Sequence, residues 1–504
     1  MYSTISQLEV EMIGPESLAL AVLVIPLFGS LLIGLLARLS STKHLSRIGW
    51  PIAAITTTVT FVLSVVLTTV IVVHGPIEYS IDPSMLTPPV IISADAFSAV
   101  VIFLDVLLAV GILVYTRTVG PRGSLFYMAY LFLVACVIGV AVIGDLFMIY
   151  LFILGVSIAT GILVDAGKRR GATYAAFKLV VMGAIGATIY LFGVLLLVRT
   201  AGSFSFGSAA EAINSAGYQD PYTVTVFILM FVGLGVNIAL FPVHTWLARA
   251  HADAPDAVSA LVSGVVPAVG IYAFTRVAYT IFGAEFLEVN ATLTTVLLIT
   301  AIVTMLAGNL FALLQEKMKL LLAYSTISQV GLVMTGLMIA NERAVFGAIL
   351  HIFGHGIIKG ALCLVAGMFA LQYGARTMTE YAGLADRMPA SALTFGILGI
   401  AMIGLPPTVG FIGKWYIATG AIAEGLSIVA FLVIVSTLST LAYVLPFINR
   451  VYFVDFDGPT VPMKPVSRKM VIGIVIAALL AISIGVLSGW IETLLSPAIT
   501  DLLQ

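Results

Sequence analysis

Charged residues are rare in this sequence. Asp, Glu, Lys and Arg make up 9% of its 504 residues and 61% are hydrophobic, whereas charged residues form about 25% of a soluble domain. This composition excludes a soluble globular protein and predicts an integral membrane protein that crosses the bilayer many times. The net charge of −1 and the lack of a basic tract give no sign of a nucleic-acid partner.

The sequence also lacks the motifs of common enzyme classes. Its two cysteines, Cys136 and Cys363, both lie in apolar segments, so neither a disulfide framework nor a metal cluster is indicated. There is no P-loop, no dinucleotide-binding glycine motif, no zinc-ligand spacing and no hydrolase nucleophile elbow. The N-terminus lacks the basic start of a cleaved signal peptide. Function must therefore be sought among the few polar groups within apolar runs.

Apolar runs of spanning length follow one another closely and predict an all-α polytopic fold with about 14 transmembrane helices. The predicted spans are 18–40, 48–74, 94–116, 124–143, 145–166, 172–199, 222–247, 257–282, 290–314, 320–340, 342–372, 390–421, 425–449 and 470–495.

The basic residues predict the orientation of these spans. With both termini on the outer side of the membrane, 17 of the 23 basic residues fall in inward loops and only Arg199 and Arg343 in outward ones. Such a bias is typical of the positive-inside rule. The inward set is Arg38, Lys43, Arg47, Arg117, Arg122, Lys168, Arg169, Arg170, Arg249, Lys317, Lys319, Arg376, Arg387, Arg450, Lys464, Arg468 and Lys469; Lys178, Arg276, Lys359 and Lys414 lie within spans.

Prolines interrupt the seventh and twelfth spans. Pro242 lies in LFPVHTW and Pro406–Pro407 in GLPPTVGFIGK, where proline removes a helix donor. Two breaks five helices apart indicate an inverted repeat of helices 4–8 and 9–13, as in transporters; two independent kinks are the alternative. The domains predicted are 1–123 (helices 1–3), 124–282 and 283–455 (the two five-helix units), and 456–504 (helix 14).

Three ionisable residues share one face of the eleventh span. His351, His355 and Lys359 are spaced four apart in HIFGHGIIKGALCLVAG, so they project from the same side of a helix. Ionisable groups at membrane depth are costly and usually line a pathway. The spacing therefore favours part of a proton path. The alternative is that the histidines bond neighbouring carbonyls and the lysine reaches an interface.

Four motifs resemble those of the proton-translocating antiporter-like family. They are FPVHTWLARAHADAPDAVSALVSGVV (241–266), KLLLAYSTISQVGLV (319–333), HIFGHGIIKGALCLVAG (351–367) and GLPPTVGFIGKW (404–415). The family includes the large antiporter-like membrane subunits of respiratory complex I, the A-type and D-type subunits of Mrp sodium/proton antiporters, and their counterparts in membrane-bound hydrogenases and related ferredoxin-dependent complexes. The resemblance covers predicted helices four to thirteen.

The resemblance implies one ion half-channel in each five-helix unit, joined by a central row of charged residues. It implies no cofactor in this chain: iron–sulfur clusters and other redox centres belong to partner subunits of an oxidoreductase complex that acts as a translocase. The expected partners are other membrane subunits, including further antiporter-like ones, together with lipid and with protons, sodium being the alternative ion. The expected location is the cytoplasmic or another energy-transducing membrane.

The first half-channel departs from the family pattern. The resemblance implies a glutamate within GDLFMIYLFILGVSI (144–158), where this chain has Leu154. It implies a lysine before the FPxHTW break, where this chain has Asn237, and a lysine or histidine in the eighth helix, where it has Ala268. None of these three side chains titrates in the useful range. The N-terminal half is therefore predicted to be impaired as a proton carrier.

Some ionisable groups remain in the N-terminal part. They are Lys178, His244, and His251 with Asp253 in the predicted loop after the break. Lys178 either feeds a remaining path or reaches the interface. Asp105, a carboxylate within the third span, is expected to contact a partner subunit or a polar group.

The second half keeps the family's ionisable positions Lys319, His351, His355, Lys359 and Lys414. Ser325, Ser328 and Gln329 on the tenth span are candidate relays or helix-packing groups. The sequence thus predicts an antiporter-like subunit of an energy-converting complex that takes part in proton or sodium/proton translocation. The alternatives are a structural, non-pumping spacer subunit and the D-type subunit of a stand-alone Mrp antiporter.

Overall fold

The computed structural model describes residues 14–39, 48–81, 90–168, 171–456 and 464–503. Lys43, Arg47, Arg169 and Arg170, which the sequence assigns to inward loops, lie outside the described residues.

Helices dominate the described residues. They are α1 Pro15–Leu39, α2 Gly49–His74, α3 Ala96–Thr116, α4 Ser124–Val142, α5 Leu146–Asp165, α6 Ala172–Ala201, α7 Phe206–Ala216, α8 Pro221–Asn237, α9 Thr245–Asp253, α10 Asp256–Gly264, α11 Val266–Thr275, α12 Gly283–Val289, α13 Ala291–Leu313, α14 Met318–Ile339, α15 Glu342–Tyr373, α16 Leu384–Arg387, α17 Pro389–Ile403, α18 Val409–Ala423, α19 Ser427–Phe453, α20 Arg468–Val486 and α21 Ser488–Leu503.

The predicted membrane fold is confirmed. Within the described ranges, 12 helical segments are long and apolar enough to cross a bilayer, with Asp256–Ile281 counted as one segment. Two shorter apolar helices, Pro221–Asn237 and Pro389–Ile403, precede the interrupted regions. The chain is therefore a multi-pass integral membrane protein. The count of 14 spans and the inverted repeat stay predictions.

The structure adds elements that the search for long apolar runs did not predict. A small antiparallel hairpin pairs β1, Ile77–Ile81, with β2, Val90–Ala94, so that Ile77 lies opposite Ala94. The predicted eighth span is divided into α10, α11 and a π-helical turn, Arg276–Ile281. Helix α7 and the separate C-terminal helix α21 are also new. These segments are short or weakly apolar, which explains why spanning length alone does not find them.

Burial separates a central set of helices from a peripheral set. In the apolar 18-residue stretch of each span, all residues of the segment formed by α10 and α11 are buried. The buried share of residues is 89% in α14 and in α15, but 33% in α2 and in α20. Large apolar side chains such as Phe28, Phe177 and Phe431 stand exposed on peripheral helices, as expected of a surface that faces lipid. Polar groups on α10, α14 and α15 are therefore held inside the protein.

Close backbone packing joins the central helices. A Cβ atom added to Gly331 on α14 would lie 2.3 Å from the backbone nitrogen of Met305 on α13. Only glycine allows this approach, as is common between membrane helices. The contact fixes the rotation of α14, which turns Ser325 and Gln329 towards α15.

Both predicted proline breaks are present. Helix α8 ends at Asn237 and α9 begins at Thr245, with Pro242 between them; α17 ends at Ile403 and α18 begins at Val409, with Pro406 and Pro407 between them. Gly404, with φ of 86°, ends α17 in the left-handed region that favours glycine. Each break leaves backbone carbonyls without helical donors.

Candidate ion pathway

Helix α15 carries a row of ionisable side chains through the protein. His351, His355 and Lys359 all lie on this helix, and four-residue spacing places them on one face. His351 and Lys359 are buried and His355 is half-buried. A charged group buried at membrane depth requires partners or water, so the neighbours of each residue decide what the row can do.

Helix α14 supplies two partners to this row. Lys359 Nζ donates to Ser325 Oγ and, at 3.3 Å, to the carbonyl of Leu322. His351 Nε2 lies 2.7 Å from Gln329 Oε1. Because an amide oxygen can only accept, Nε2 carries the proton in this contact, and Nδ1 of His351 has no partner in the described structure. The ring therefore has an open position at which a proton can arrive.

Ser328 does not belong to this row. It faces α13, where a Cβ atom added to Gly308 would lie 2.4 Å from its backbone nitrogen. Its hydroxyl has no partner among the described residues. Of the three relay residues predicted from the sequence, only Ser325 and Gln329 contact the ionisable groups.

His355 lies beside a backbone carbonyl that a proline leaves free. Its ring is near enough to the backbone of Ser263 to hydrogen-bond with it. Pro267, four residues later, has no N–H to donate to that carbonyl, so the helix leaves it available. Nε2 of His355 has no partner in the described structure. Sequence reasoning missed Pro267, although SGVVPAVG displays it.

Lys414 takes its partner from the second helix break. Its Nζ donates to the carbonyl of Ile403 at 2.8 Å, at the C-terminal end of α17, and the side chain is buried. His351 lies close enough to both Lys414 and Lys359 for their charges to act on its ring. The interruption of the helix thus creates the site that holds Lys414 beside the row on α15.

A glycine keeps α18 close to His351. A Cβ atom added to Gly413 would lie 2.7 Å from Cβ and 2.8 Å from Nδ1 of His351. Such distances are too short for non-bonded carbon atoms, so any other residue at 413 displaces the ring or the helix. Gly413 is therefore a positioning residue that sequence reasoning missed.

On the other side of Lys359 the row continues to His251. Cys363, four residues after Lys359, has its Sγ 3.4 Å from Nε2 of His251. His251 was predicted to lie in a loop with Asp253, and this prediction is wrong: both belong to helix α9. The helix restarts after the break and continues because no proline follows before Pro255.

Lys319 connects this end of the row to an open basin. Its Nζ donates to the carbonyl of Ala254 at 2.6 Å and forms an ion pair with Asp256 Oδ1 at 3.0 Å. Asp256 was not singled out from the sequence, because its contact with Lys319 depends on tertiary structure. Both side chains are partly exposed to the basin.

The basin has a volume of about 640 Å³ and carries charges of both signs. Partial burial alone would raise the pKa of Glu380 at its rim, but hydrogen bonds from the backbone N–H groups of Arg376 and Thr377 outweigh it and leave the pKa below its usual value. The charged lining residues are Arg249, Asp253, Asp256, Lys317, Lys319, Arg376 and Glu380. Such a surface can exchange protons with water.

In the N-terminal half, the region around Asn237 has little room for water. A cavity of about 20 Å³, enough for a single water, is lined by Asn237 but by no ionisable side chain. Asn237 donates to the carbonyl of Gly233 at 3.1 Å and accepts from Ser157 at 3.5 Å. Leu154 is half-buried and Ala268 is buried, and neither lines the cavity.

Lys178 and His244 lie together at the first helix break, apart from the row on α15. Lys178 Nζ donates to the carbonyl of Thr245 at 3.3 Å. His244 stacks between Phe241 and Phe311, with ring centroids 5.3 and 5.8 Å away. Its Nδ1 has no partner among the described residues.

Three other ionisable groups, Asp95, Asp105 and Arg276, lie within the third and eighth spans or at their ends. Arg276 forms an ion pair with Asp95 at 2.5 Å and bonds Ser98 and Tyr272, which ties α3 to the end of the eighth span. Asp105 is buried, and both of its oxygens lack hydrogen-bond partners in the described structure. The contact expected for Asp105 is therefore not made within this part of the chain.

The fold is that of a polytopic membrane protein, and its C-terminal half contains a buried row of ionisable side chains. Residues 143–440, more than half of the chain, match the family described as NADH:quinone oxidoreductase/Mrp antiporter, transmembrane. The chain belongs to this family of antiporter-like membrane proteins.

Individual relatives come from both branches of that family. The chain is 33% identical to the N-type subunit of NADH-quinone oxidoreductase from Desulforudis audaxviator over 70% of each chain. It is 27% identical to the D-type subunit of the Na+/H+ antiporter from Bacillus subtilis over 81% of this chain and 84% of the relative. The resemblance found from the four motifs is thus confirmed.

Solved structures confirm the fold. A chain of the archaeal membrane-bound sulfane sulfur reductase, a respiratory membrane complex, superposes with a TM-score of 0.87 at 24% identity, covering 96% of this chain and 98% of that one. A chain of the Mrp complex from a Dietzia species gives 0.86 at 20% identity, covering 97% and 98%. At these identities the comparison concerns the fold alone.

Proposed function

We propose that this chain is an antiporter-like subunit of a multi-subunit energy-converting membrane complex and carries protons, or exchanges them with sodium, through its C-terminal half. The supporting observation is the buried row on α15, in which Lys359 and His351 each bond a polar side chain of α14. A structural spacer has no need for two buried lysines, each costly to keep inside a membrane protein.

The proposed route runs from Lys414 through His351, His355 and Lys359 to Lys319 and the basin. Successive members on α15 are one helical turn, roughly 5 to 6 Å, apart. Neutral imidazole can accept a proton at one nitrogen and release one from the other. Protonation of Lys414 alters the proton affinity of His351. Each protonation then alters the proton affinity of the next residue in the row, because neighbouring titrations are coupled.

The N-terminal half is proposed to be an incomplete conduit. Leu154, Asn237 and Ala268 replace the titratable groups expected there, and Asn237 is engaged with neutral groups. Lys178 and His244 remain as a separate pair, proposed to line a partial entry at the first break. The chain then shares its ion path with a neighbouring subunit, or conducts through one half only.

The redox or ion-driven step is assigned to partner subunits. We propose no cofactor for this chain, with iron–sulfur clusters in its partners, which include further antiporter-like subunits. The excess of basic residues in alternate loops supports an arrangement with both termini on the outer side of a cytoplasmic or other energy-transducing membrane. The likeness to the D-type subunit of a Na+/H+ antiporter supports the same role in an Mrp assembly as a second candidate.

Replacing Lys359 tests the route. In liposomes that contain the purified complex, Lys359→Met should lower ion translocation at least tenfold, because the row loses a charge carrier, while assembly is retained. Lys464→Met, at an exposed lysine, is the control and should translocate normally. Translocation at the control rate by Lys359→Met would contradict the proposal. Repeating the assay with and without sodium separates proton transport from sodium/proton exchange.

A further inference from the structure

An apolar groove runs along the outside of the helix that carries Lys359. Its volume is about 390 Å³, and it lies between α3, α15 and α20. Ile357, Gly360 and Ala361 of α15 form its floor. We call this feature the lateral groove. It opens to the lipid-facing surface, where Ile472 and Ile476 are exposed.

Two glycines keep the lateral groove open. Gly111 on α3 and Gly473 on α20 both line it, and a Cβ atom added to either would meet no atom within 4 Å. By contrast, at Gly308 and Gly331 the backbone of a neighbouring helix fills the space that a side chain would need. Gly111 and Gly473 thus border empty space, which suits an occupant from outside this chain.

One end of the lateral groove is cationic. Lys469 belongs to its lining, and Arg468 precedes it at the start of α20; both are exposed. The remaining lining of α20, from Met470 to Leu480, is apolar. The occupant that complements this pattern has an anionic head and a hydrocarbon body, and basic pockets between membrane helices do bind acidic phospholipid head groups.

The length of the groove and its single cationic end fit a phospholipid. From Lys469 to Leu480 the groove extends about 16 Å at the helical rise of 1.5 Å per residue. We propose that the lateral groove binds one acyl chain of an anionic phospholipid, with its phosphate beside Lys469.

The position of the groove gives the lipid a role. Its floor is the side of α15 that faces away from α14, so the bound chain supports the helix on which His351, His355 and Lys359 are aligned. Binding itself is independent of the proposed function. Ion translocation can fail while the lipid is still bound, and the two ideas are therefore tested separately.

Native mass spectrometry of the complex tests the proposal. Complexes are taken from nanodiscs that contain phosphatidylglycerol or phosphatidylcholine. The unchanged chain should retain one phosphatidylglycerol per copy. Gly111→Leu together with Gly473→Leu should lose it, since the new side chains fill the groove. Lys469→Gln should lower the preference for phosphatidylglycerol over phosphatidylcholine about fivefold, the effect of one interfacial cation.

Two matched controls accompany these variants. Gly489→Leu adds a side chain at another glycine with open space around it, outside the groove, and Lys464→Gln removes another exposed lysine; both should retain lipid as the unchanged chain does. Lys469→Gln changes an exposed side chain, so it remains informative if the leucine variants do not fold. The proposal would be overturned if the folded leucine variants retained lipid as the original chain does, or if Lys469→Gln kept the original lipid preference. It would also be overturned if the original chain retained no lipid, or if Gly473→Cys crosslinked to another polypeptide.

Discussion

At the scale of residues, the path depends on pairs of side chains contributed by α14 and α15. Ser325 and Gln329 are four residues apart on one helix, and they meet Lys359 and His351 on the other. Each pair satisfies a polar group that is expensive to bury alone. Ser325 and Gln329 thus allow Lys359 and His351 to be buried between α14 and α15.

Ser325 should matter to translocation, and its neighbour Ser328 should not. Ser325→Ala removes a hydroxyl that accepts a hydrogen bond from the Lys359 ammonium. A hydrogen bond to a charged group is worth about 1.5–3 kcal/mol. Proton uptake by liposomes should therefore slow roughly tenfold or more. Ser328→Ala is the control on the same helix, since that hydroxyl faces α13. Equal rates in the two variants would show that α14 does not serve the path.

Gly413 should tolerate no side chain. Gly413→Ala places a Cβ 2.8 Å from Nδ1 of His351, so the ring must move; overpacking of this kind costs about 1–3 kcal/mol. We expect a lower unfolding temperature and a clear loss of translocation. Gly489→Ala, at a glycine without close neighbours, should alter neither quantity. Normal translocation by Gly413→Ala would mean that the position of His351 is unimportant.

The sequence predicted the row on α15 and some of its neighbours, but not all of its surroundings. The spacing of His351, His355 and Lys359 follows directly from helical periodicity. The sequence could not separate Ser325 from Ser328, because the rotation of α14 depends on its glycine contacts with α13. Asp256 was missed for a related reason: its partner Lys319 is brought to it only by tertiary folding.

At the scale of elements, helix breaks supply carbonyl groups to the path. The break before α18 leaves the Ile403 carbonyl to Lys414, and Pro267 leaves the Ser263 carbonyl to His355. Broken backbone at membrane depth persists where it lines polar or wet interior. Prolines that weaken these helices are thus used to hold ionisable side chains.

Replacing Pro267 tests this use of a break. In Pro267→Ala the new N–H can donate to the Ser263 carbonyl and compete with His355. Stability should change little, because Pro267 lies in the first turn of α11, where a helix tolerates proline, yet translocation should fall. Thermal unfolding and proton uptake measure the two effects. Nitrogen NMR of labelled histidine should show a changed ring tautomer; an unchanged tautomer with normal uptake would contradict this account.

The elements most easily predicted were the long apolar ones. A uniformly apolar helix such as α4 needs no tertiary information, and both proline breaks were visible. The hairpin of β1 and β2, the amphipathic α7 and the division of the eighth span were not predicted. Their short segments resemble connecting loops in sequence, and only packing against the bundle selects their structure.

At the scale of the whole molecule, the two halves differ in ionisable content. The C-terminal half carries buried lysines and histidines that reach a basin of about 640 Å³ lined by residues of both units, whereas the cavity of about 20 Å³ beside Asn237 lacks ionisable lining. The family membership was predictable from four motifs. The asymmetry was predicted from Leu154, Asn237 and Ala268, and it remains a proposal about conduction.

This asymmetry predicts unequal effects of mutation. Asn237→Leu removes a polar group that, among the described residues, bonds Gly233 and Ser157, so translocation should remain within about twofold of normal, a change of well under 1 kcal/mol. Stability should fall by about 1 kcal/mol for the lost hydrogen bond. Proton uptake and thermal unfolding of the assembled complex provide both measurements. A tenfold loss of uptake would instead assign conduction to the N-terminal half.

The most direct measurement is ion translocation by the reconstituted complex with Lys414→Met in this chain. Methionine keeps an unbranched side chain of similar length but cannot carry a proton, so packing and assembly should be preserved. The account predicts that translocation is abolished while the complex assembles normally. Translocation at the normal rate would contradict it, because ions would then cross elsewhere and this chain would serve as a scaffold.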